Sequence, residues 1–464
     1  MSMKAATVTQ AKISVQIIRD GKVIENEDGS SDLGELVMAF SIEEGIDLCA
    51  MTAELVLQDA AGVIDTLTGA ETWKIKLEGR DSTNGYIFQA YNIESRSRQG
   101  SAEGYIVQLV SYEFILNEAK ILFGHTDVLF NKKTRAHEMV EEILTGQVTG
   151  GPMTAKKVFA EETQNELPFI CPNWRPFDTI YFAANRSIRK SSAGKESQNG
   201  FIFWENIMGY HFKSIDQLIK DINAQNEDTD SDITGGKAKL YTYVYSPKKT
   251  DTNEGQQDGY KIDSITFPED RNYLGAMRDG TYAGFSTALD PTKFGNSKLS
   301  AESKNSQGPG SYDLEDFWDK MEHLDNGKCP VSSTPDNFKK LLKSKRRIRY
   351  SVLPNRLFDS KGKDAAQTEN AQNLDELAYL ESYKHLRATS LKSIKLIVQV
   401  PGNLDLYSGY GVKIKIPNTK QSKGSINTNK RYSGRYCIAS IKHSYNDGNL
   451  YTEMLLYKDS LSKE

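Results

Sequence analysis

The sequence predicts a mainly β protein, α+β overall, in which one antiparallel β-barrel module occurs twice and smaller mixed α/β regions lie between the copies. Three observations predict it. An eight-residue phrase recurs without a gap, as Gly62-Val63-Ile64-Asp65-Thr66-Leu67-Thr68-Gly69 and as Gly402-Asn403-Leu404-Asp405-Leu406-Tyr407-Ser408-Gly409. Both copies fit Gly-x-(Ile/Leu)-Asp-x-x-(Ser/Thr)-Gly, and both stand between strand-like runs in the same order. The chain has 464 residues, more than a single core usually holds, so several domains are expected.

The flanks of the phrase carry the repeat further. Glu54-Leu55-Val56-Leu57 and Lys395-Leu396-Ile397-Val398 precede the copies; Trp73-Lys74-Ile75-Lys76-Leu77 and Val412-Lys413-Ile414-Lys415-Ile416 follow them. Strands opened by Gly85-Tyr86 and Gly434-Arg435-Tyr436 come next, then Tyr105 to Val110 and Tyr451 to Leu456. A duplicated module with so little chemistry on it points to construction rather than catalysis.

In chain order, Lys12 to Ile18 alternates and ends at Asp20-Gly21, a favoured hairpin turn. Two more runs, Gly34 to Ile42 and Ala50 to Leu57, lead to the first phrase. Period-2 alternation suits a sheet with one buried face, and closing that sheet into a barrel hides its edges. Ala136, Met139, Val140 and Ile143 then recur at helical spacing, and a second helix restarts after Pro176. Phe201 to Phe212 reads as a hairpin turning near Asn206 to Gly209, and Leu240 to Tyr245 as a strand. Helices are expected over 313–323 and 374–386. The domains follow: a first barrel (1–118), a mixed α/β region (119–200), a hairpin and strands that would complete the second barrel (201–250), a polar, loop-rich insertion with helices (251–384), and the second barrel (385–464).

Bulk properties exclude several classes. A net charge of −4 and a pI near 6.0 supply no basic field for nucleic acid or membrane. The first residues carry no apolar signal core, and no run reaches the length of a membrane span. Cys49, Cys171, Cys329 and Cys437 are scattered, which suits a reducing assembly compartment. The six histidines show no H-x-x-x-H spacing, so no metal site is expected. There is no G-x-S-x-G and no Walker loop, so no catalytic residue and no cofactor is expected. Glu43-Glu44 and Glu161-Glu162 are adjacent carboxylates that point apart in a strand and read as solvated surface. The acidic loop Asn226 to Asp232 lacks the central Gly and terminal Glu of a calcium loop. One basic cluster, centred on Lys343, Lys345, Arg346, Arg347 and Arg349 with Lys339 and Lys340 before it, suits an acidic subunit interface better than phosphate. Asp65 and Asp405, with Gly62, Gly69, Gly402 and Gly409, read as turn-forming positions.

A resemblance joins these readings. WRPFDTIYFAANRSIR from Trp174, GFIFWENIMGYHFKSI from Gly200, IKLIVQVPGNLDLYSGYGVKIKIP from Ile394, YSGRYCIASIKH from Tyr432 and LYTEMLLYKD from Leu450 together resemble the central baseplate hub of contractile-tailed phages, T-even and others. The hub part of VgrG-type type VI secretion spike proteins is related to that family. The resemblance covers residues 10–120, 165–220 and 385–460 and is weak over 250–384. It implies a homotrimer whose two tube domains per chain form a pseudo-sixfold ring. That ring would join the sixfold tail tube above to the threefold central spike below, touch other baseplate proteins and let DNA pass. It implies a place in the virion tail baseplate, assembly in the host cytoplasm and no direct membrane anchoring. The alternatives are a receptor- or glycan-binding tail protein, suggested by the Tyr-rich loops of the insertion, and a cell-wall hydrolase, for which no motif speaks. No spike β-helix follows residue 459, which favours a phage tail over a type VI apparatus.

Overall fold

The computed structural model describes residues 9–24, 31–79, 82–100, 102–123, 134–147, 149–167, 169–190, 198–245, 260–269, 271–289, 311–344, 347–352, 372–418 and 428–462. The first unit holds β1 (Lys12–Arg19), β2 (Val37–Gly45), β3 (Thr52–Asp59), β4 (Thr72–Glu78), β5 (Thr83–Gln99) and β6 (Ala102–Val110). A mixed region follows with α1 (Tyr112–Ala119), α2 (Ala136–Thr145), β7 (Val158–Ala160), α3 (Pro176–Ala184), β8 (Phe201–Asn206), β9 (Gly209–Ser214) and α4 (Ile215–Ala224). Then come β10 (Tyr241–Val244), β11 (Ser264–Thr266), α5 (Tyr273–Asp279), β12 (Ala283–Leu289), β13 (Ser311–Asp313), α6 (Leu314–Trp318), α7 (Asp336–Leu342) and β14 (Ile348–Val352). Helix α8 (Gln372–Leu391) delivers the chain to β15 (Ile394–Pro401), β16 (Gly411–Lys415), β17 (Gly434–Asn446) and β18 (Asn449–Lys458).

The sequence repeat is a repeat of structure. The order β3-β6-β5-β4 in the first unit matches β15-β18-β17-β16 in the second, antiparallel throughout. Each copy has a bulge at the same place, between Ala90 and Asn92 on β5 and between Ile438 and Ser440 on β17. Counted from these bulges, Trp73 opposite Phe88 and Val412 opposite Tyr436 are equivalent, so the two lysine-alternating strands align as the sequence suggests. The last strands align one residue differently. Leu109 faces Ala90 and Leu456 faces Ile438, so Leu456 corresponds to Leu109 rather than to Val110. A one-residue slip exchanges the two faces of a strand, and burial of both leucines decides the register.

Two strands extend each copy. β1 and β2 flank the first; β10, parallel to β16, and β11, antiparallel to β15, flank the second. The units are joined edge to edge by β17 and β2, from Ser440 opposite Gly45 to Asn446 opposite Ala39. The result is one 14-stranded sheet rather than two separate barrels. Each half curls until its ends nearly meet. In the first, Leu33 N–H donates to the Val15 carbonyl (2.8 Å) and Val15 N–H to Asp32 Oδ1 (2.8 Å). In the second, Val244 and Lys261 form an isolated bridge. Among the described residues neither curl closes into a complete ladder, so the molecule is mostly β with a large antiparallel sheet, and closed barrels are not confirmed.

Each curl encloses its own core. Val15, Phe40, Leu55, Trp73, Phe88 and Val107 fill the first; Leu396, Val398, Ile414, Tyr436, Ile438 and Leu456 fill the second. The hairpin β8-β9 does not extend the second curl. It pairs with β7, and Phe203 and Phe212 pack with Met139, Val140, Phe177 and Ile180, because its aromatic face matches the apolar stripes of α2 and α3. Of the described residues in the 201–250 stretch, only β10 joins the 14-stranded sheet. In the insertion, β12 pairs with β13 and β14 in a small sheet, and Tyr312 and Leu314 pack against Tyr383 and Leu386 of α8.

Candidate functional site

The second copy of the repeated phrase sits where the two units meet. After Pro401 the chain runs close against β18: Gly402 N–H donates to the Leu450 carbonyl (3.0 Å), and a Cβ on Gly402 would lie 2.3 Å from the Leu450 side chain. Two leucines then diverge. Leu404 enters the core of the first unit, while Leu406 stays in the core of the second. The Leu404 carbonyl accepts from Asn84 Nδ2 of the first unit (2.8 Å). The loop is therefore a clasp across the joint made by β17 and β2.

Glu44 closes the clasp. It lies on β2 in phase with Phe40 and Ile42, and is buried. Its carboxyl accepts from the Ser408 N–H (2.6 Å) and the Ile207 N–H (3.1 Å). Trp204 Nε1 (3.3 Å) and Asn206 Nδ2 (3.0 Å) donate to the Ser408 carbonyl. Glu205 points the other way, accepting from Met51 N–H (3.0 Å) and pairing with Lys156 (2.5 Å), which also meets Glu113 (2.7 Å). Loop, hairpin and β2 are thus tied by hydrogen bonds between buried polar groups.

Burial, aided by neighbouring Glu205, pushes the Glu44 carboxyl up to about 8 despite the two N–H donors. A folded-state pKa raised above 4.5 means that the folded chain holds this proton longer than the unfolded chain. Stability is then greatest at low pH and falls as pH rises from about 4.5 to about 8. We expect Glu44→Gln to cost about 1–3 kcal/mol at pH 5, because an amide NH2 must face one of the N–H donors. The cost should shrink towards pH 8, where wild type carries the ionisation penalty and the variant does not. Urea melts of both proteins across pH 5–8 check this; parallel curves would sink it.

The first copy of the phrase buries Val63 and Ile64 in the core of its own unit and leaves its other residues exposed or half-buried. Asp59, not Asp65, caps its turn, accepting from Ala61 N–H (2.9 Å) and Ile64 N–H (2.8 Å). Glu71 accepts from Thr68 and Gly69 and from Arg19 (2.7 Å); against the effect of burial, these bonds hold its carboxyl down to about 2. Asp65 instead meets Arg96 (3.1 Å) in an exposed pair. In the second copy Asn403 caps Asp405 (3.0 Å), and Asp405 accepts from the Tyr241 hydroxyl (2.9 Å). Gly62, Gly69 and Gly409 all have left-handed φ, of 75°, 86° and 79°, but only Gly409 is crowded, with Trp204 where its Cβ would stand.

The remaining candidates are separate from this joint. In the basic cluster, Lys343 (2.6 Å) and Lys339 (2.5 Å) both pair with Glu315, and Arg349 donates to the Asp279 carbonyl (2.7 Å) and contacts His385 (2.8 Å). Its acidic neighbour is thus in the same chain. Arg347 is exposed, and Lys345 and Arg346 lie outside the described residues. Neither glutamate pair is wholly solvated. Glu161 is buried against Arg189 (2.6 Å) and Ser214 N–H (2.7 Å), and only Glu162 stays at the surface with Lys190. Glu227 of the acidic loop pairs with Lys413 (2.7 Å). His211 is stacked between Phe159 and Trp204, and burial drives it well below the ordinary imidazole range. His443 bonds Thr452 (3.0 Å) and is likewise pushed down, to about 4. Among the described residues no three His, Cys, Asp or Glu gather as a metal site, and no helix is long and apolar enough to cross a membrane.

Glu44 was legible in principle. Counting by twos from Phe40 places it on the core face; the adjacent Glu43 disguises it as half of a surface pair.

No protein-family model matches the chain, and no curated protein matches it. Solved structures do. The 43 kDa tail protein of prophage MuSo2 from Shewanella oneidensis is similar over 97% of this chain and 98% of its own, at 10% identity and a TM-score of 0.50. A tail protein from Neisseria meningitidis MC58 is similar over 97% of both chains, at 11% identity and a TM-score of 0.48. A Francisella PdpA-VgrG complex is matched over 99% of this chain but 54% of that chain, at 10% identity and a TM-score of 0.45. The MuSo2 likeness is one of fold. The prophage tail protein thus shares this chain's fold and is of the kind the sequence resembles.

Proposed function

We propose that this chain is a structural baseplate hub of a phage contractile tail, with the two curled units as its tube-like modules. Three copies form a pseudo-sixfold ring between the sixfold tail tube and the threefold central spike, other baseplate proteins pack around it, and DNA passes through its lumen. The role is mechanical, and the chain belongs to the virion tail, put together in the host cytoplasm. One observation carries this reading. Two units of the same strand order are joined edge to edge in one chain, which is what a threefold ring needs to present six similar surfaces. The fold likeness to a prophage tail protein supports it.

The test is the mass of the purified chain in solution, by light scattering, with and without a trimeric spike protein. A mass of about three chains in either condition supports the ring. A strict monomer in both removes it and favours a receptor- or glycan-binding tail protein.

A further inference from the structure

The joint inside the chain is a template for the joint between chains. Beyond its bulge, β17 pairs on one side with β18 and on the other with β2. The equivalent part of β5, Asn92 to Gln99, pairs with β6 on one side only. Its other edge has no strand among the described residues. The counterpart of β2 in the second unit is β11, since Phe40 faces Leu55 on β3 and Ile265 faces Val398 on β15. β11 also has one unpaired edge among the described residues, at the far end of the sheet path. The chain therefore joins the second-unit donor to the first-unit acceptor, and leaves over a first-unit donor and a second-unit acceptor.

We infer that the free edge of β5 in one copy pairs antiparallel with the free edge of β11 in the next copy, in the register that β17 and β2 use within the chain. This rests on the ring proposed above, which sets the number of copies. Transferring the register places Ser97 opposite Thr266, Arg98 opposite Ile265 and Gln99 opposite Ser264. Pro268 has no N–H to offer and ends the ladder, so the joint is shorter than the one within the chain. Unpaired edges are natural sites for such strand addition, and head-to-tail pairing of unlike edges is the kind that builds rings.

Charge agrees with this register. Arg98 would stand diagonal to Asp263 on the same face, within reach of a long side chain. Asp263 has no ion pair among the described residues, and although it is exposed, partial desolvation pushes its carboxyl up to about 6. Arg98 is exposed, with its nearest carboxylate, Glu103, at 3.9 Å. Each group gains a partner at the joint.

The test uses the full chain, at concentrations where light scattering finds the assembled form. Ser97→Cys with Thr266→Cys should oxidise to covalent dimers and trimers on a non-reducing gel. Ser97→Cys with Ser264→Cys, two residues out of register and too far for a disulfide, should yield severalfold less. Wild type controls for Cys49 and the buried thiols. Arg98→Glu should raise the concentration needed for assembly severalfold, and adding Asp263→Lys should restore it. A three-chain mass with cross-linking no greater than wild type, or equal in both registers, would overturn the strand pairing and leave the ring standing. A monomer with and without spike would overturn both.

Discussion

Replacing Arg387 with Ala is expected to lower stability by about 3–5 kcal/mol, the usual cost of stranding buried carboxylates without their counter-charge. Arg387 lies on α8 and is fully buried. Its Nε is 3.2 Å from Asp216 of α4, and its NH1 is 3.3 Å from Asp459 just beyond β18. Around them, Tyr383 donates to Asp216 (2.8 Å), His323 contacts Asp459 (2.8 Å), and Leu324 N–H donates to Asp459 (3.1 Å). The network staples the mixed region, the insertion and the last strand to one helix. Urea unfolding should show a lower midpoint with an unchanged slope. Arg387→Met combined with Asp216→Asn and Asp459→Asn should recover much of the loss, because no charge is left stranded. A single-variant loss under about 1 kcal/mol would show that solvent or other donors satisfy the two carboxylates.

Gly409→Ala and Gly69→Ala occupy the same place in the two copies of the phrase and should differ sharply. Both residues have left-handed backbone, so each new Cβ costs about 1–2 kcal/mol. At Gly69 nothing else is lost, since the nearest atom to the new Cβ is Ile93 Cδ1 at 4.0 Å. At Gly409 the Cβ would lie 2.5 Å from Trp204 Cζ2, and overpacking adds about 1–3 kcal/mol. Trp204 cannot simply move aside, since it is bonded to the Ser408 carbonyl and stacked on His211 at 4.7 Å. Equal losses in paired urea melts would mean that the clasp yields freely. A changed Trp fluorescence in the Gly409 variant alone would place the damage at the joint.

Much of this was legible because alternation is a local signal. Trp73 to Leu77 and Val412 to Ile416 align in space as in sequence, and Asp20-Gly21 forms the expected left-handed turn, with φ of 50° and 75°. The expected helix over 313–323 is shorter, ending at Trp318, where His323 turns back to bond the Trp318 carbonyl (2.8 Å). The small sheet of β12, β13 and β14 was not foreseen, because its strands are far apart in sequence and short runs in a polar stretch carry little periodicity.

By itself the sequence determined the repeated unit, its strand alternation and the glycines of its loops, since each depends on neighbours within a few residues. Only the tertiary structure decided what each copy of the phrase does. Gly62 to Gly69 and Gly402 to Gly409 have nearly the same local chemistry, yet one buries Ile64 in the core of its own unit and the other carries Leu404 into a foreign core. The difference comes from the pairing of β17 with β2, which brings Glu44 and Trp204 to Ser408 across hundreds of residues. Such contacts depend on which edges meet, and an edge strand reads the same in sequence whether its partner lies in its own chain or in another.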